Sequence, residues 1–171
     1  MFWLPNSEGV MWWLSEGYEH LRSICPGLIY DIVGARPPRA LQVSAEQHAG
    51  VHVHGYVPDA KPFWINAAAL AVPLLSGGGV RVKILEAMAM GVPVISTTIG
   101  CEGLAVRSGE HLLVADTPEA FARACAKVLQ DKELAQRLAY QARQLILERY
   151  DAKIALRTLD AVYERTRKHY E

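Results

Sequence analysis

The chain has 171 residues, with 18 basic and 18 acidic side chains and a formal net charge of zero. This length suffices for one domain with a sizeable core but not for two domains of ordinary size. The neutral balance excludes a basic nucleic-acid-binding surface and an acidic tail, so we expect no nucleic-acid partner.

Cysteine usage and hydropathy predict a cytoplasmic protein. The three cysteines are odd in number and widely spaced, which indicates reduced thiols and neither a disulfide framework nor a zinc site. No apolar run reaches the roughly 20 residues of a membrane span, and the N-terminus lacks the pattern of a secretory signal.

The first half of the chain alternates helical and extended patterns. Apolar residues at helical spacing predict a first helix that ends at Pro26–Gly27. Strand Leu28–Gly34 follows, then a loop with a short helix, and then strand Val51–Val57. A turn and another short helix lead to the third strand, Leu70–Leu75, which ends just before three consecutive glycines.

The second half continues this alternation. A helix is predicted over Gly79–Met90, strands over Val92–Thr97 and His111–Ala115, and helical structure from beyond Asp116 to the end of the chain. Strands that are apolar nearly throughout, separated by helical crossovers, imply a parallel sheet covered on both faces. The predicted fold class is therefore α/β: a doubly wound, Rossmann-like, mostly parallel sheet with helices on both faces and a helical C-terminus.

The glycine-rich loop that begins at Ser76 lies where such folds bind ligands, beyond the carboxyl end of a strand. Without β-carbons, Gly77, Gly78 and Gly79 allow a ligand to approach the main chain closely. The free N–H groups and positive dipole end of the following helix favour an anion. The loop therefore predicts a phosphate site.

Three charged residues of the following helix extend this pattern. Arg81 and Lys83 place positive charge beside the loop, and Glu86 lies where its carboxylate can accept hydrogen bonds from sugar hydroxyls. A phosphate and a hydroxylated sugar together describe a nucleotide. The alternative is that the glycines only form a tight turn, while Lys83 and Glu86 form a surface ion pair.

The segment KILEAMAMGVPVISTTIGCEGLAVRSGEHLLVAD, from Lys83 to Asp116, resembles the carboxyl-terminal, donor-binding half of the GT-B glycosyltransferases, in the large retaining family known as group 1. The likeness extends to PN near the start, LIYDIVG, VHVHGYVPD and DKELAQRLAYQARQLILERYD. The resemblance implies that residues 1–171 form the nucleotide-sugar-binding domain and that the N-terminal acceptor domain is absent. It implies a glycosyltransferase that moves a sugar, with retention, from a nucleoside diphosphate to an acceptor hydroxyl.

The family's signature is a glutamate, seven residues and a second glutamate. The second matches Glu86, which the resemblance makes the ribose-binding residue, whereas the first falls on Gly78 and is missing. The segment MFWLPNSEGV also lacks the arginine and lysine with which many members neutralise the leaving diphosphate. Arg81 and Lys83 are the nearest replacements, and we predict them as catalytic residues.

The complete predicted nucleotide-sugar site combines the loop near the base, the glycine loop and the signature helix. Its residues are Gly55, Tyr56, Val57, Gly77, Gly78, Gly79, Val80, Arg81 and Glu86. The alternating His52 and His54 share one face of a strand, but no third ligand is apparent, so we predict no metal and no cofactor.

Other classes of function remain as alternatives. A nucleotide-binding or assembly module without catalysis is compatible with the missing glutamate at Gly78, and an epimerase or phosphorylase relative is a third reading. The predicted partners are the nucleotide-diphosphate sugar and the acceptor domain. A membrane surface, for peripheral association of the full-length enzyme, and a second copy of the chain are further partners left open.

The resemblance also predicts that the chain is a fragment without transferase activity of its own. In the family an apolar strand in the middle of the sheet ends shortly before the segment that matches Pro5–Asn6, and only MFWL precedes this pair here. A missing central strand leaves unpaired backbone groups on its neighbours. We expect residues from outside this sequence to fill the gap, or strand Leu28–Gly34 to pair directly with strand Leu70–Leu75, with a partner chain covering exposed apolar surface.

Overall fold

Helices and parallel strands alternate along the chain, as the apolar pattern predicts. A computed structural model describes residues 3–79 and 81–150. The helices are α1 Leu4–Trp12, α2 Tyr18–Ile24, α3 Arg39–Glu46, α4 Lys61–Asn66, α5 Val82–Ala89, α6 Pro118–Gln130 and α7 Lys132–Arg149. The strands are β1 Tyr30–Val33, β2 Val51–Gly55, β3 Leu70–Val72, β4 Val94–Ser96 and β5 Leu113–Val114.

The predicted first helix is present and ends at Ile24, just before Pro26–Gly27. A π-helical turn at Trp13–Gly17 joins α1 to α2. Gly17 lies directly against the Trp13 ring, so a β-carbon at this position would collide with the indole. The missing side chain therefore lets Trp13 pack fully inside the protein.

Each predicted strand is present but shorter than the sequence pattern suggests. β3 ends at Val72, directly before Pro73. The prediction that a helix begins at Gly79 is wrong, since α5 begins at Val82. Gly77 and Gly79 have φ angles of 108° and 91°, which a right-handed helix cannot contain.

The strands form two parallel sheets, one with β1 and β2 and one in the order β3-β4-β5. This arrangement, with its helical crossovers, confirms the predicted Rossmann-like α/β class. The expectation that strand Leu28–Gly34 pairs directly with strand Leu70–Leu75 is wrong, because β1 and β3 belong to different sheets. Residues 4–12 are helical and supply no strand between them. The filling of the gap by outside residues stays a prediction.

Apolar side chains join the two sheets into one core. The larger buried cluster includes Trp13, Ile32, Ile95 and Phe121, which come from helical segments and from both sheets. A second cluster packs α5 and α7 against β3 and β4. Side chains from both sheets pack into one cluster, and this packing holds the two sheets together. Among the described residues no backbone ladder connects the two sheets.

The carboxyl-terminal part of the described chain is helical. The side chains of Thr117 and Asp131 cap α6 and α7 by accepting hydrogen bonds from backbone N–H groups three residues onward. The predicted helical positions Ile154, Leu159, Val162 and Tyr163 lie outside the described residues. Within the described part of the chain, no helix combines the length and apolarity needed to cross a membrane.

Candidate functional site

The glycine loop follows β3 at the carboxyl edge of its sheet. A β-carbon on Gly77 would lie 2.7 Å from the Trp3 ring, whereas one on Gly78 would have no heavy atom of the described chain within 4 Å. Gly78 therefore leaves the main chain open to a ligand, and Gly77 is confined by its conformation and by Trp3. Val80, predicted as part of this site, lies outside the described residues.

Arg81 is folded back against the loop that precedes it. Only 4% of the residue is exposed, and its guanidinium donates to the carbonyls of Gly77 (2.6 Å), Gly78 (3.1 Å) and Ile99 (3.4 Å). Its carbon Cζ lies 5.9 Å from the centroid of the Trp3 ring, a cation–π distance. Arg81 thus fixes the shape of the loop, while its Nε has no partner among the described residues.

The side chain of Lys83 reaches the first helix. Its ammonium group donates a 2.6 Å hydrogen bond to Oδ1 of Asn6. Burial, and secondarily the nearby charge of Arg81, lowers the pKa of Lys83. Among the described residues Lys83 and Glu86 form no ion pair, so this part of the turn-only alternative is wrong.

Glu86 lies on the exposed side of α5, one turn beyond Lys83. No side chain or backbone donor in the described ranges bonds to its carboxylate. α5 itself begins without a side-chain cap, so its first amides keep their donors for other acceptors. The helix therefore offers amide donors at its start and a free carboxylate acceptor further along.

The predicted base-side residues lie at the end of β2, in the other sheet. Gly55 has a φ of 69° and accepts a 2.8 Å hydrogen bond from the N–H of Gly34. Tyr56 is 73% exposed, and Val57 is half-buried. Within residues 3–79 and 81–150, no hydrogen bond connects this turn to the glycine loop.

The turn after β4 contributes contacts that the sequence analysis did not single out. The hydroxyl of Thr97 donates to the carbonyl of Leu74 and accepts from the N–H of Gly100. Thr98 donates to Asp116 through both its amide and its hydroxyl, each at 2.7 Å. Gly100 is packed so closely that a β-carbon would lie 2.9 Å from the Val72 carbonyl oxygen. Short polar residues directly after a buried strand could have predicted this turn from the sequence. In the structure they hold the turn that carries the Ile99 carbonyl, to which Arg81 donates.

The two strand histidines make different contacts. His54 lies with its Nε2 2.6 Å from Oδ1 of Asp31, and the ring centroids of His52 and His54 are 6.4 Å apart. No group of three or more His, Cys, Asp or Glu side chains suited to a metal occurs in the described part of the chain. The absence of a metal in the reaction stays a prediction.

A glycine loop and an uncapped helix start lie at the carboxyl edge of a parallel sheet, which is the place where α/β domains bind ligands. Residues 2–131, which are most of the chain, match the family described as glycosyl transferases group 1. The chain therefore belongs to the group 1 glycosyl transferases.

Individual relatives cover different parts of the chain. Over 81 residues it is 36% identical to an uncharacterised 44.6 kDa protein in the cps region of Klebsiella pneumoniae, a match that covers 47% of this chain and 21% of that protein. The fold is similar to HepE of Anabaena in complex with UDP and glucose, with a TM-score of 0.73, 17% identity, and coverage of 87% of this chain and 45% of HepE. The chain thus spans less than half the length of these two relatives.

The fold is also similar to a separately crystallised domain. This is the C-terminal domain of LpcC, a glycosyl transferase group 1 family protein from Francisella tularensis. The TM-score is 0.71 at 15% identity, and the match covers 86% of this chain and 81% of that domain.

Proposed function

We propose that residues 1–171 form the nucleotide-sugar-binding, carboxyl-terminal domain of a retaining glycosyltransferase. The observation that carries the proposal is the pairing of an open glycine loop at Gly78 with the exposed, unpartnered carboxylate of Glu86 on the next helix. Membership in the group 1 family and the likeness to the LpcC domain support this assignment. The acceptor site would lie in a separate amino-terminal domain.

The diphosphate would lie over Gly78, at the amino-terminal end of α5. Backbone N–H groups and the helix dipole favour an anion there. Arg81 and Lys83 would place positive charge behind the loop, where it offsets the charge that develops on the leaving diphosphate oxygen. Because the Arg81 guanidinium already donates to the loop carbonyls, its larger contribution would be to hold the loop amides in position for the phosphates.

The nucleoside would extend from the loop toward Glu86 and toward the turn of Gly55, Tyr56 and Val57. A carboxylate that accepts two ribose hydroxyls would discriminate a nucleotide from a bare diphosphate. The HepE complex with UDP and glucose supports a uridine nucleotide as the first ligand to test. In the complete enzyme, the bond from the sugar to the diphosphate oxygen would break and the acceptor hydroxyl oxygen would bond to the sugar on the same face. The nucleoside diphosphate would leave and take up the proton of that hydroxyl.

Calorimetric titration of the chain with UDP, GDP, ADP and their sugars tests this proposal. For the nucleotide that binds, Glu86→Gln should weaken affinity by about 1–3 kcal/mol, the range for hydrogen bonds to a charged group. The matched control is Glu133→Gln, an exposed glutamate in the first turn of α7. Equal affinity of both folded variants and the unmodified chain would refute the role of Glu86.

A nucleotide-binding module without catalysis is the second candidate. It is favoured by Gly78, which stands where the family's first signature glutamate is expected. Nucleotide binding without sugar transfer, after an acceptor domain has been supplied, would establish this candidate. The cytoplasmic location, membrane association and self-association stay predictions.

A further inference from the structure

The start of α1 lies against the glycine loop. A β-carbon on Gly77 would lie 2.7 Å from the Trp3 ring and 3.3 Å from the β-carbon of Pro5. Trp3 is the N-cap of α1, and its carbonyl accepts a 3.0 Å hydrogen bond from the N–H of Asn6. A hydrogen-bonded turn at the start of α1 is therefore packed on the loop.

The ring of Trp3 covers the guanidinium of Arg81. The ring centroid is 5.9 Å from Cζ of Arg81, within the range in which an aromatic face attracts a cation. Arg81 is only 4% exposed and Trp3 is 40% exposed, so the partly exposed ring contributes to the cover of a buried cation. A buried charge has lost most of its water, so the contacts that replace the water determine where the guanidinium rests.

The charge of Arg81 has no carboxylate partner among the described residues. Within the same residues its guanidinium donates to the carbonyls of Gly77, Gly78 and Ile99, and its Nε has no acceptor. A buried cation without a counter-ion is costly. The carbonyl oxygens and the face of the Trp3 ring therefore stabilise this charge, and its positive sign remains available to a bound anion.

The carbonyls that Arg81 holds determine the direction of the loop amides. The carbonyls of Gly77 and Gly78 are directed at Arg81. In a trans peptide group, the C=O and the N–H that follows it point in opposite directions. The N–H groups of Gly78 and Gly79 are therefore directed away from Arg81, and neither has an acceptor within the described chain. Successive free amides of this kind bind anions.

The same turn of α1 also holds the second cation of the site. Oδ1 of Asn6 accepts the 2.6 Å hydrogen bond from the Lys83 ammonium group, and Asn6 is bonded to Trp3 through the backbone. The segment MFWLPNSEGV contains no arginine or lysine. Its contribution to the charge of the site is therefore indirect, through side chains that hold the cations of a different segment.

We propose that Trp3 is a positioning residue of the phosphate site and that it acts through Arg81. The ring keeps the guanidinium against the loop, and the guanidinium keeps the N–H groups of Gly78 and Gly79 directed at the phosphates. The inference rests on the proposed function, because the phosphates belong to the nucleotide-sugar. It assigns a role to an aromatic side chain that lies outside the predicted site residues.

The experiment compares the unmodified full chain with Trp3→Ala, Trp3→Phe and Leu4→Ala. Phenylalanine retains an aromatic face, and Leu4, which is 63% exposed in the same turn, is the matched apolar control. Calorimetry measures the affinity of each protein for UDP and for uridine. If UDP does not bind the unmodified chain, GDP with guanosine and ADP with adenosine take the place of this pair.

Trp3→Ala should lower the affinity for the nucleoside diphosphate by about fivefold or more, because the guanidinium is then free to leave the loop carbonyls. The affinity for the nucleoside, which has no phosphate, should change little. Trp3→Phe should retain most of the affinity for the diphosphate, and Leu4→Ala should retain all of it. A role in the fold alone would lower both affinities together.

A second measurement needs no ligand. NMR follows the exchange of the Arg81 Nε–H with water in the same four proteins without nucleotide. Burial should protect this proton in the unmodified chain and in Leu4→Ala, whereas its exchange in Trp3→Ala should accelerate by about tenfold or more. This signal reports on the contact between the ring and the guanidinium whether or not a nucleotide binds.

Several results would overturn the proposal. Equal affinity of Trp3→Ala and the unmodified chain for the diphosphate would do so, as would equal losses for the diphosphate and the nucleoside. Losses in Trp3→Phe or Leu4→Ala as large as in Trp3→Ala would exclude the aromatic face as the cause. If the unmodified chain binds no nucleoside diphosphate, the proposed function fails. Faster Arg81 exchange in Trp3→Ala would still support the hold of Trp3 on Arg81, and unchanged exchange would refute it.

Discussion

The ammonium group of Lys83 donates to Oδ1 of Asn6 at 2.6 Å and so ties the first turn of α5 to the first turn of α1. Asn6→Ala removes the acceptor and leaves a half-buried charged donor unpaired. We expect the free energy of unfolding to fall by about 1–3 kcal/mol in chemical denaturation. Glu8→Ala, at an exposed position of the same helix, is the control and should change it by less than about 0.5 kcal/mol. Equal effects of the two substitutions would contradict this role of the hydrogen bond.

Lys83 should also make stability depend on pH. Burial lowers its pKa below the ordinary value of 10.5, so the unfolded chain binds its proton more tightly than the folded chain. The contribution of Lys83 to stability therefore rises with pH through the window between the lowered pKa and 10.5. The free energy of unfolding of the unmodified chain, minus that of Lys83→Met, should increase as the pH rises through this window toward 10.5. Tyrosines and cysteines that titrate equally in both proteins do not contribute to this difference in free energy. A difference that stays flat or decreases with pH would refute this assignment.

Two neighbouring glycines should respond differently to alanine. Gly77 has a φ of 108° and faces the Trp3 ring, so Gly77→Ala adds both backbone strain and a clash. We expect its free energy of unfolding to fall by about 1–3 kcal/mol. Gly78→Ala meets open space among the described residues and should cost less than about 0.5 kcal/mol. Thermal denaturation of both variants measures these losses of stability. Similar losses for Gly77→Ala and Gly78→Ala would mean that the loop has another conformation.

Arg81 should matter more for the phosphates than for the nucleoside. Arg81→Ala removes the donors that hold the carbonyls of Gly77 and Gly78, so the amides of the loop lose their fixed orientation. We expect affinity for a nucleoside diphosphate to fall by about tenfold or more, with a smaller change for the nucleoside, in paired calorimetric titrations. Equal losses for the two ligands would place Arg81 outside the phosphate site.

The local sequence pattern predicted the order and type of the elements because apolar runs, prolines and glycines act over a few residues. It misplaced the start of α5, since only the backbone angles of Gly77 and Gly79 show that the loop continues past them. The local sequence pattern also could not predict that Arg81 is buried. That burial depends on the Ile99 carbonyl, 18 positions away, and on a turn that Thr98 and Asp116 hold in place.

The boundary between β1 and β3 gives the domain an internal seam that backbone bonds do not cross within the described chain. Across it the sheets are held by apolar side chains such as Trp13, Ile32, Ile95 and Phe121. Hydrophobic attraction weakens on cooling. The attraction across the seam should therefore weaken in the cold, whereas the backbone hydrogen bonds within each sheet do not depend on it in the same way.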